Sequence, residues 1–376
     1  MEINKTDKKI RIAVLFGGRS GEHEVSLMSA RSVLNALDLQ KYEVVEVGIT
    51  HEGRWLVGEG VLTAMQAGKT DALHRAALFG DPTLAGLYKL VGAKDGMRLE
   101  FLEQVDVVFP VLHGTYGEDG TIQGLFEMAD IAFVGAGVLG SALGMDKAIF
   151  KDVMRTHNIP VVESITVNRK EFQSNMDDVL NRAEKMASYP LFVKPVNLGS
   201  SVGVSKCNNR SDLLEGLLEA ARYDRRVLVE RGINGREIEV SVLGNDEPVA
   251  SIPGEVIPAD EFYSYDAKYY NERSQLLIPA PISDEMAQKV QRNAIAAYKA
   301  VDCAGMARAD FLLDKESDEL FLNEINTIPG FTQISMYPKL WNATGIGYPQ
   351  LVDRLIELAL ERKVESDATE RRYIKS

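Results

Sequence analysis

A chain of 376 residues with 45% hydrophobic content can bury two or three cores and exceeds what one core usually holds, so several domains are expected. Its 42 Lys and Arg against 55 Asp and Glu give a formal charge of −13, and no long basic block is present to follow a phosphate backbone. Nucleic acid is therefore not an expected partner, whereas a small anion held by a few focused cations remains open.

Cys207 and Cys303 form no CxxC pair and no cluster with histidine, which argues against a disulfide framework or a structural zinc and for two ordinary buried thiols. The N-terminal apolar stretch is about five residues, shorter than the 7–15 of a signal-peptide core. No apolar run approaches the roughly 18 residues of a membrane span. A cytoplasmic protein without membrane association is expected.

In chain order, RIAVLF (residues 11–16) reads as a buried strand, GGRSG as a turn and EVSLMSARSVLNAL as a helix. Val44–Ile49, Val105–Leu112 and Ile131–Ala136 continue as strands, and the alternation with helices predicts a parallel sheet covered on both faces. Gly58–Phe101 is irregular and reads as a decorated insertion. From about Ser141 a second domain opens, with a helix in DKAIFKDVMRTHN, a strand in VVESITV and a helix in DDVLNRAEKMAS. PLFVKPV, the Gly-Ser loop LGSSVGVSKC, the helix SDLLEGLLEAARY and the strand RVLVERGI follow. The remainder holds the alternating strand EIEVSVLG, an irregular stretch from Gly254 to Ile278, a helix near Glu285–Val301 and the strand pair ARADFLL and ELFLNEIN.

Several segments have two readings in the residues alone. GGRSGEHEVS lacks the GxGxxG spacing of a dinucleotide turn, but Glu22 and Glu24 stand where a carboxylate can hold a ligand's ammonium group; a solvated helix start serves equally well. His113, in VLHGTYGEDGTIQG, ends a buried strand at the sheet edge where ligands bind, or is a satisfied structural histidine. Lys147 and Lys194 suit phosphate oxygens, and the loop with Gly199, Ser200, Ser201 and Gly203 can wrap N–H groups around them, or form a plain hairpin with Lys206 exposed. Glu230 and Glu237 can accept from an adenine amino group or a ribose hydroxyl, or are surface glutamates beside an Asn-Gly turn. The sharpest constellation is Asp310, Glu324 and Asn326 on two neighbouring strands. Their oxygen-only donors suit Mg²⁺ bridged to phosphates, and strand alternation puts Arg308 on the same face, beside a developing oxyanion.

Eight segments in order, GGRSGEHEVS, HGTYGEDGTIQG, GMDKAIFK, KPVNLGSSVGVSK, VLVERGINGREIEV, YDAKYY, ARADFLL and NEINTIPGFTQISMYP, resemble the D-alanine–D-alanine ligases of the ATP-grasp superfamily across nearly the whole chain. The resemblance implies an α/β fold of three domains. These are a Rossmann-like substrate-binding domain over 1–140, a central ATP-grasp subdomain over 141–232, and a C-terminal one over 233–376 with the metal site and a mobile loop. It implies ATP as co-substrate, two Mg²⁺ ions (Mn²⁺ as a substitute) on Asp310, Glu324 and Asn326, two D-alanine sites and a homodimer. On the nucleotide, Lys147 and Lys194 resemble the α- and β-phosphate lysines, Glu230 the adenine partner, Glu237 the ribose partner, and Lys268 the γ-phosphate lysine of a lid around 265–270. Backbone groups near Arg231 and Ile233 frame adenine. Glu22 resembles the partner of the first ammonium, in a triad with Ser200 and Tyr269, with His113 nearby. Arg308 and the Gly330 N–H resemble an oxyanion hole, and Ser335 the receiver of the second carboxylate. Arg231 stands where many relatives carry lysine. Tyr269 favours dipeptide over D-alanyl-D-lactate formation, and the intact metal ligands oppose a silent nucleotide-binding regulator.

Overall fold

The computed structural model describes residues 9–94, 96–258 and 275–371. The first sheet contains β1 (Ile10–Gly17), β2 (Tyr42–Ile49), β3 (Trp55–Val57), β4 (His74–Leu78), β5 (Leu87–Ala93), β6 (Gly96–Glu103), β7 (Val107–Val111) and β8 (Ala132–Phe133), in the order β6-β5-β4-β3-β2-β1-β7-β8. Strands β2, β1, β7 and β8 are parallel, as the alternation of strands and helices requires. The insertion corrects the expectation of a wholly parallel sheet: β3 to β6 extend it as successive antiparallel strands. Period-two burial divides β1 between two cores. Ile12, Val14 and Phe16 pack with Leu27, Ala30 and Val33 of the helix His23–Ala36, while Ala13 and Leu15 pack with Ile122, Phe126 and Phe133.

The second sheet holds β9 (Ser164–Asn168), β10 (Leu191–Pro195), β11 (Ser205–Cys207) and β12 (Arg226–Arg231), antiparallel in the order β11-β10-β12-β9. One face, with Val193, Val227 and Val229, is covered by the helices Met176–Met186 and Arg210–Tyr223. Alternation leaves Phe192, Lys194, Leu228 and Glu230 on the other.

The third sheet contains β13 (Gly235–Gly244), β14 (Val249–Ala250), β15 (Gly254–Ile257), β16 (Gln275–Leu277), β17 (Gly305–Asp314) and β18 (Leu320–Asn326). Its order is β16-β15-β13-β17-β18, with β14 also on β13. Ile238, Val240, Ala307, Ala309 and Phe311 pack on the helix Asp284–Ala300, joined by Phe150 and Met154 of the helix Lys147–Thr156. The opposite face carries Glu237, Glu239, Arg308 and Asp310, with Glu239 directly opposite Asp310. A bulge opposite Asp310/Phe311 pairs Leu322 with Phe311 but Glu324 with Asp310, so residues two apart face opposite sides of the sheet. The last helix, Tyr348–Asp367, returns to the first sheet and packs Leu355 and Ala359 with Ile12 and Val14.

Candidate active site

Glu22 precedes the first helix at the carboxyl end of β1 and is buried. Its Oε1 accepts a hydrogen bond from Ser200 Oγ, which joins the Gly-Ser loop to the segment after β1. Gly114 comes so close that a Cβ there would lie 2.7 Å from Glu22 Oε2. Ser200 and Ser201 both hold left-handed backbone, φ 53° and 58°, strain of the kind that concentrates at ligand clamps.

His113 is buried, and its Nδ1 lies 3.0 Å from the Ile328 carbonyl. A carbonyl only accepts, so Nδ1 carries the proton and Nε2 accepts from Ser29 Oγ at 3.0 Å. Ser29 Oγ in turn accepts from the Phe331 N–H at 3.3 Å. Burial lowers the imidazole pKa and favours this neutral form. Glu118 completes the arrangement, taking the Gly114 N–H at 2.6 Å and the Ile328 N–H at 3.3 Å. Ser29, His113 and Glu118 thereby clamp the 328–331 segment that carries Gly330. Of the three, the sequence reading singled out His113 alone. A cavity of about 260 Å³, lined by Trp55, Leu112, His113, Tyr116 and Leu125 among others, adjoins this loop.

Burial, with the Glu22 charge next, pushes the Glu118 carboxyl up to about 8. An unfolded glutamate titrates near ~4.3, so across the interval between these values the folded chain holds a proton the unfolded chain has lost. The group's stabilisation is therefore full below the unfolded pKa and is lost as pH rises through 8. The urea midpoint of the ligand-free protein is expected to fall between about pH 4.3 and 8 and to level off above, and Glu118→Gln to flatten that slope. An unaltered slope in the variant assigns the dependence to another group.

Lys147 opens its helix behind the cap Asp146 and reaches Glu324 Oε2 at 3.0 Å. Burial opposes its charge, but the facing carboxylates, Glu324 first, hold its pKa above the ordinary value. One turn on, Lys151 points the same way and lies 2.7 Å from Glu230 Oε1, while Lys194 pairs with Glu230 Oε2. Burial works against the Glu230 charge, yet the two ammonium groups outweigh it and hold the carboxyl at about 2. Glu230 thus anchors two lysines on the face of β10 and β12 away from their helices. Lys151 was not foreseen; the i, i+4 spacing from Lys147 is the signal that points to it.

The face of the third sheet brings Arg308, Asp310, Glu324 and Asn326 together. Arg308 grips Asp310 with Nε and Nη2, both at 2.7 Å, and its Nε lies 3.0 Å from Glu239 Oε2. Asn326 Nδ2 donates to Asp310 Oδ2 at 2.8 Å, and turning the amide over would present its oxygen instead. Three side chains offering carboxylate and amide oxygens suit a hard divalent cation. Glu239, also missed, follows from Glu237 by strand alternation.

Gly330 and Ser335 meet in the loop after β18, where a Cβ on Gly330 would stand 3.2 Å from Ser335 Oγ. Ser335 immediately precedes the helix Met336–Thr344, and its Oγ lies 2.7 Å from Thr332 Oγ1. The Arg231 backbone N–H donates to Glu163 O at 3.0 Å, and its side chain binds Glu163 and covers Phe321. Ile233 is half-buried in the β12–β13 turn. Lys268 and Tyr269, with the 265–270 segment, lie outside the described residues.

Residues 11–136 match the family model described as D-ala D-ala ligase N-terminus, and residues 153–357 the one described as D-ala D-ala ligase C-terminus. A D-alanine–D-alanine ligase of Heliobacterium modesticaldum is 52% identical over 365 residues, covering 96% of this chain and 98% of that protein. The solved D-alanine-D-alanine ligase from Coxiella burnetii superposes with a TM-score of 0.80 at 38% identity, over 96% of each chain. The VanG D-Ala:D-Ser ligase from Enterococcus faecalis does so with 0.82 at 36%, over 94% of this chain and 100% of that one. With two family models spanning most of its length and a half-identical relative covering nearly all of it, the chain belongs to the D-alanine–D-alanine ligase family.

Proposed function

We propose that the chain is an ATP-dependent ligase that joins two D-alanine molecules through a D-alanyl phosphate, for peptidoglycan precursor synthesis in the cytoplasm, working as a homodimer. Among the described residues no helix is long and apolar enough to cross a membrane. The observation that carries the reading is the Ser200–Glu22 contact, because it brings a phosphate-type loop onto a buried carboxylate within reach of an amino acid.

In this mechanism Glu22 binds the ammonium of the first D-alanine and holds its carboxylate toward ATP. That carboxylate oxygen attacks the γ-phosphorus, the bond to the β-phosphate oxygen breaks and ADP leaves. Lys147, Lys194 and the Gly199–Gly203 backbone orient the phosphates, with Lys268 as the proposed γ-phosphate partner. Two Mg²⁺ ions, replaceable by Mn²⁺, fit the oxygen donors Asp310, Glu324 and Asn326 and would neutralise phosphate charge there. The neutral amine of the second D-alanine, its carboxylate received by Ser335 and the following helix N-terminus, attacks the acyl carbonyl. Arg308 and the Gly330 N–H stabilise the tetrahedral oxyanion until the attacking nitrogen has released a proton, phosphate departs and the peptide bond remains. Glu230 and Glu237 are assigned to adenine and ribose, and Tyr269 to the Glu22–Ser200 triad.

Phosphate release from ATP and Mg²⁺ is the direct test, with D-alanine, L-alanine, D-alanine plus D-lactate, or no amino acid, and product mass read in parallel. Release is expected in both conditions that contain D-alanine and in no other, with the dipeptide mass and no D-alanyl-D-lactate. Nucleotide binding without release under every condition would overturn the reading. Glu22→Gln is expected to raise the KM for the first D-alanine at least about tenfold, the loss of one charge-assisted contact, while ATP affinity stays unchanged. Unaltered D-alanine kinetics would remove Glu22 from the substrate site.

A further inference from the structure

The turn after β2 carries His51, and the helix after β1 opens with His23 and Glu24. Strands β1 and β2 are parallel with Gly17 beside Ile49, so the residues that follow each strand emerge at the same end of the sheet. The turn itself is fixed by the Thr50 N–H on Arg54 O and the Gly53 N–H on Thr50 O, both at 2.9 Å. There the rings of His23 and His51 stack with centroids 3.8 Å apart, and His51 Nε2 lies 3.8 Å from Glu24 Oε1. Among the described residues, His23, Glu24 and His51 are the one trio of histidine, cysteine or carboxylate side chains whose donor atoms all fall within 4.8 Å of one another. Because the third member comes from a separate element, no spacing in the sequence announces the group.

The donor set differs in kind from Asp310, Glu324 and Asn326. Two imidazoles and a carboxylate suit a borderline cation such as Zn²⁺, whereas oxygen donors alone suit Mg²⁺. His23 is 5% exposed and is held as metal-bound histidines usually are, with its other nitrogen on a backbone carbonyl. Nδ1 lies 2.9 Å from Gly18 O, which only accepts, so Nδ1 carries the proton and Nε2 keeps the lone pair. Among the described residues no protein group bonds that Nε2. The ring sits so close to Gly17 that a Cβ there would stand 3.0 Å from His23 Cε1. Stacked rings direct their lone pairs side by side, so His51 must turn off the stack to complete the set. The His51 and Glu24 side chains are 63% and 59% exposed, which leaves both able to make that adjustment. It closes the 4.8 Å spread to the roughly 3.3 Å between ligands on a tetrahedral ion. Glu24 also supplies the negative charge that a cation beside a helix start needs against the helix dipole.

We propose that His23 Nε2, His51 and Glu24 form a site for one divalent cation of the zinc class, with water in the fourth position. The ion ties the β2–β3 turn to the start of the helix that follows Glu22. Calorimetric titration of the ligand-free protein with ZnCl₂ in excess MgCl₂, which competes for the oxygen-only donors, should show one equivalent bound to wild type. His51→Ala should weaken that binding by at least the roughly 10–100-fold that loss of an outer partner costs, since here a direct ligand is removed. His157→Ala, which removes an exposed histidine elsewhere, should bind as wild type does. Zn²⁺ should raise the thermal midpoint of wild type and leave that of His51→Ala unchanged. Co²⁺ in place of Zn²⁺ should give the intense visible bands of a four-coordinate ion in wild type and lose them in His51→Ala. Turnover of His51→Ala with ATP and Mg²⁺ should equal that of wild type, which shows the variant to be folded. A wild-type chain that takes up no Zn²⁺ in excess Mg²⁺ would refute the site, as would undiminished binding in His51→Ala. An equal loss in His157→Ala would refute it too, by marking the uptake as general binding to surface histidines.

Discussion

Arg308→Lys is expected to lower kcat by roughly 10²–10³ while the protein remains folded, the effect of losing one preorganised oxyanion donor. The guanidinium is fixed by two hydrogen bonds of 2.7 Å to Asp310 and approaches Glu239 at 3.0 Å, so its position is set before substrate arrives. Lysine keeps the charge, which limits the penalty of leaving Glu239 and Asp310 without a cation, but it cannot make the two-pronged contact. Steady-state kinetics should show the loss mainly in kcat, with the KM values for ATP and the first D-alanine changed by less than about threefold, because a transition-state contact leaves ground-state binding intact. A variant that keeps kcat within about threefold of wild type would take Arg308 out of the oxyanion hole, given the size expected for one such donor.

Glu230→Gln is expected to destabilise the ligand-free protein by about 3–5 kcal/mol, the cost of breaking a buried charge cluster by removing one partner. The carboxylate side chain is 4% exposed and lies between Lys151, at 2%, and Lys194, at 17%; without its charge the two ammonium groups face each other out of water. Urea unfolding measures the loss, and the KM for ATP should rise as Lys194 is displaced. The pH dependence separates this from a packing defect. The wild-type Glu230 is held at about 2, so its contribution is full above the unfolded carboxylate pKa and is lost as pH falls through about 2. The variant should lack that share of the acid sensitivity. A midpoint within about 1 kcal/mol of wild type near neutral pH would show that the lysines find other partners, since a broken buried pair costs several times that.

Much of the site was readable because strand alternation is local. ARADFLL and ELFLNEIN place Arg308, Asp310, Glu324 and Asn326 on consecutive strands, and only an oxygen-liganded cation or a cluster of ion pairs explains such residues beside buried valine- and leucine-type positions. The side on which Glu324 falls was less secure. Simple alternation puts Leu322, Glu324 and Asn326 on one face, but the bulge between them sends Leu322 to the core and Glu324 to the site. Glu118, Lys151 and Glu239 were passed over for a common reason. A charged residue in a sequence reads as solvated, and it is the arrival of a distant partner, Ile328 for Glu118, Glu230 for Lys151 and Arg308 for Glu239, that makes burial affordable.

By itself the sequence determined the alternation of strands and helices, the parallel central strands, the Gly-Ser loop and the order of motifs that places the chain in its family, because each follows from periodicity or turn chemistry within a few residues. Tertiary structure alone decided that the insertion continues the first sheet as antiparallel strands and that the last helix returns to cover Ile12 and Val14. It alone decided, too, that Ser29, His113 and Glu118 reach across more than 200 residues of chain to hold the 328–331 segment. Apolar spacing fixes which face of a strand or helix is buried but not what buries it, and that choice belongs to long-range packing.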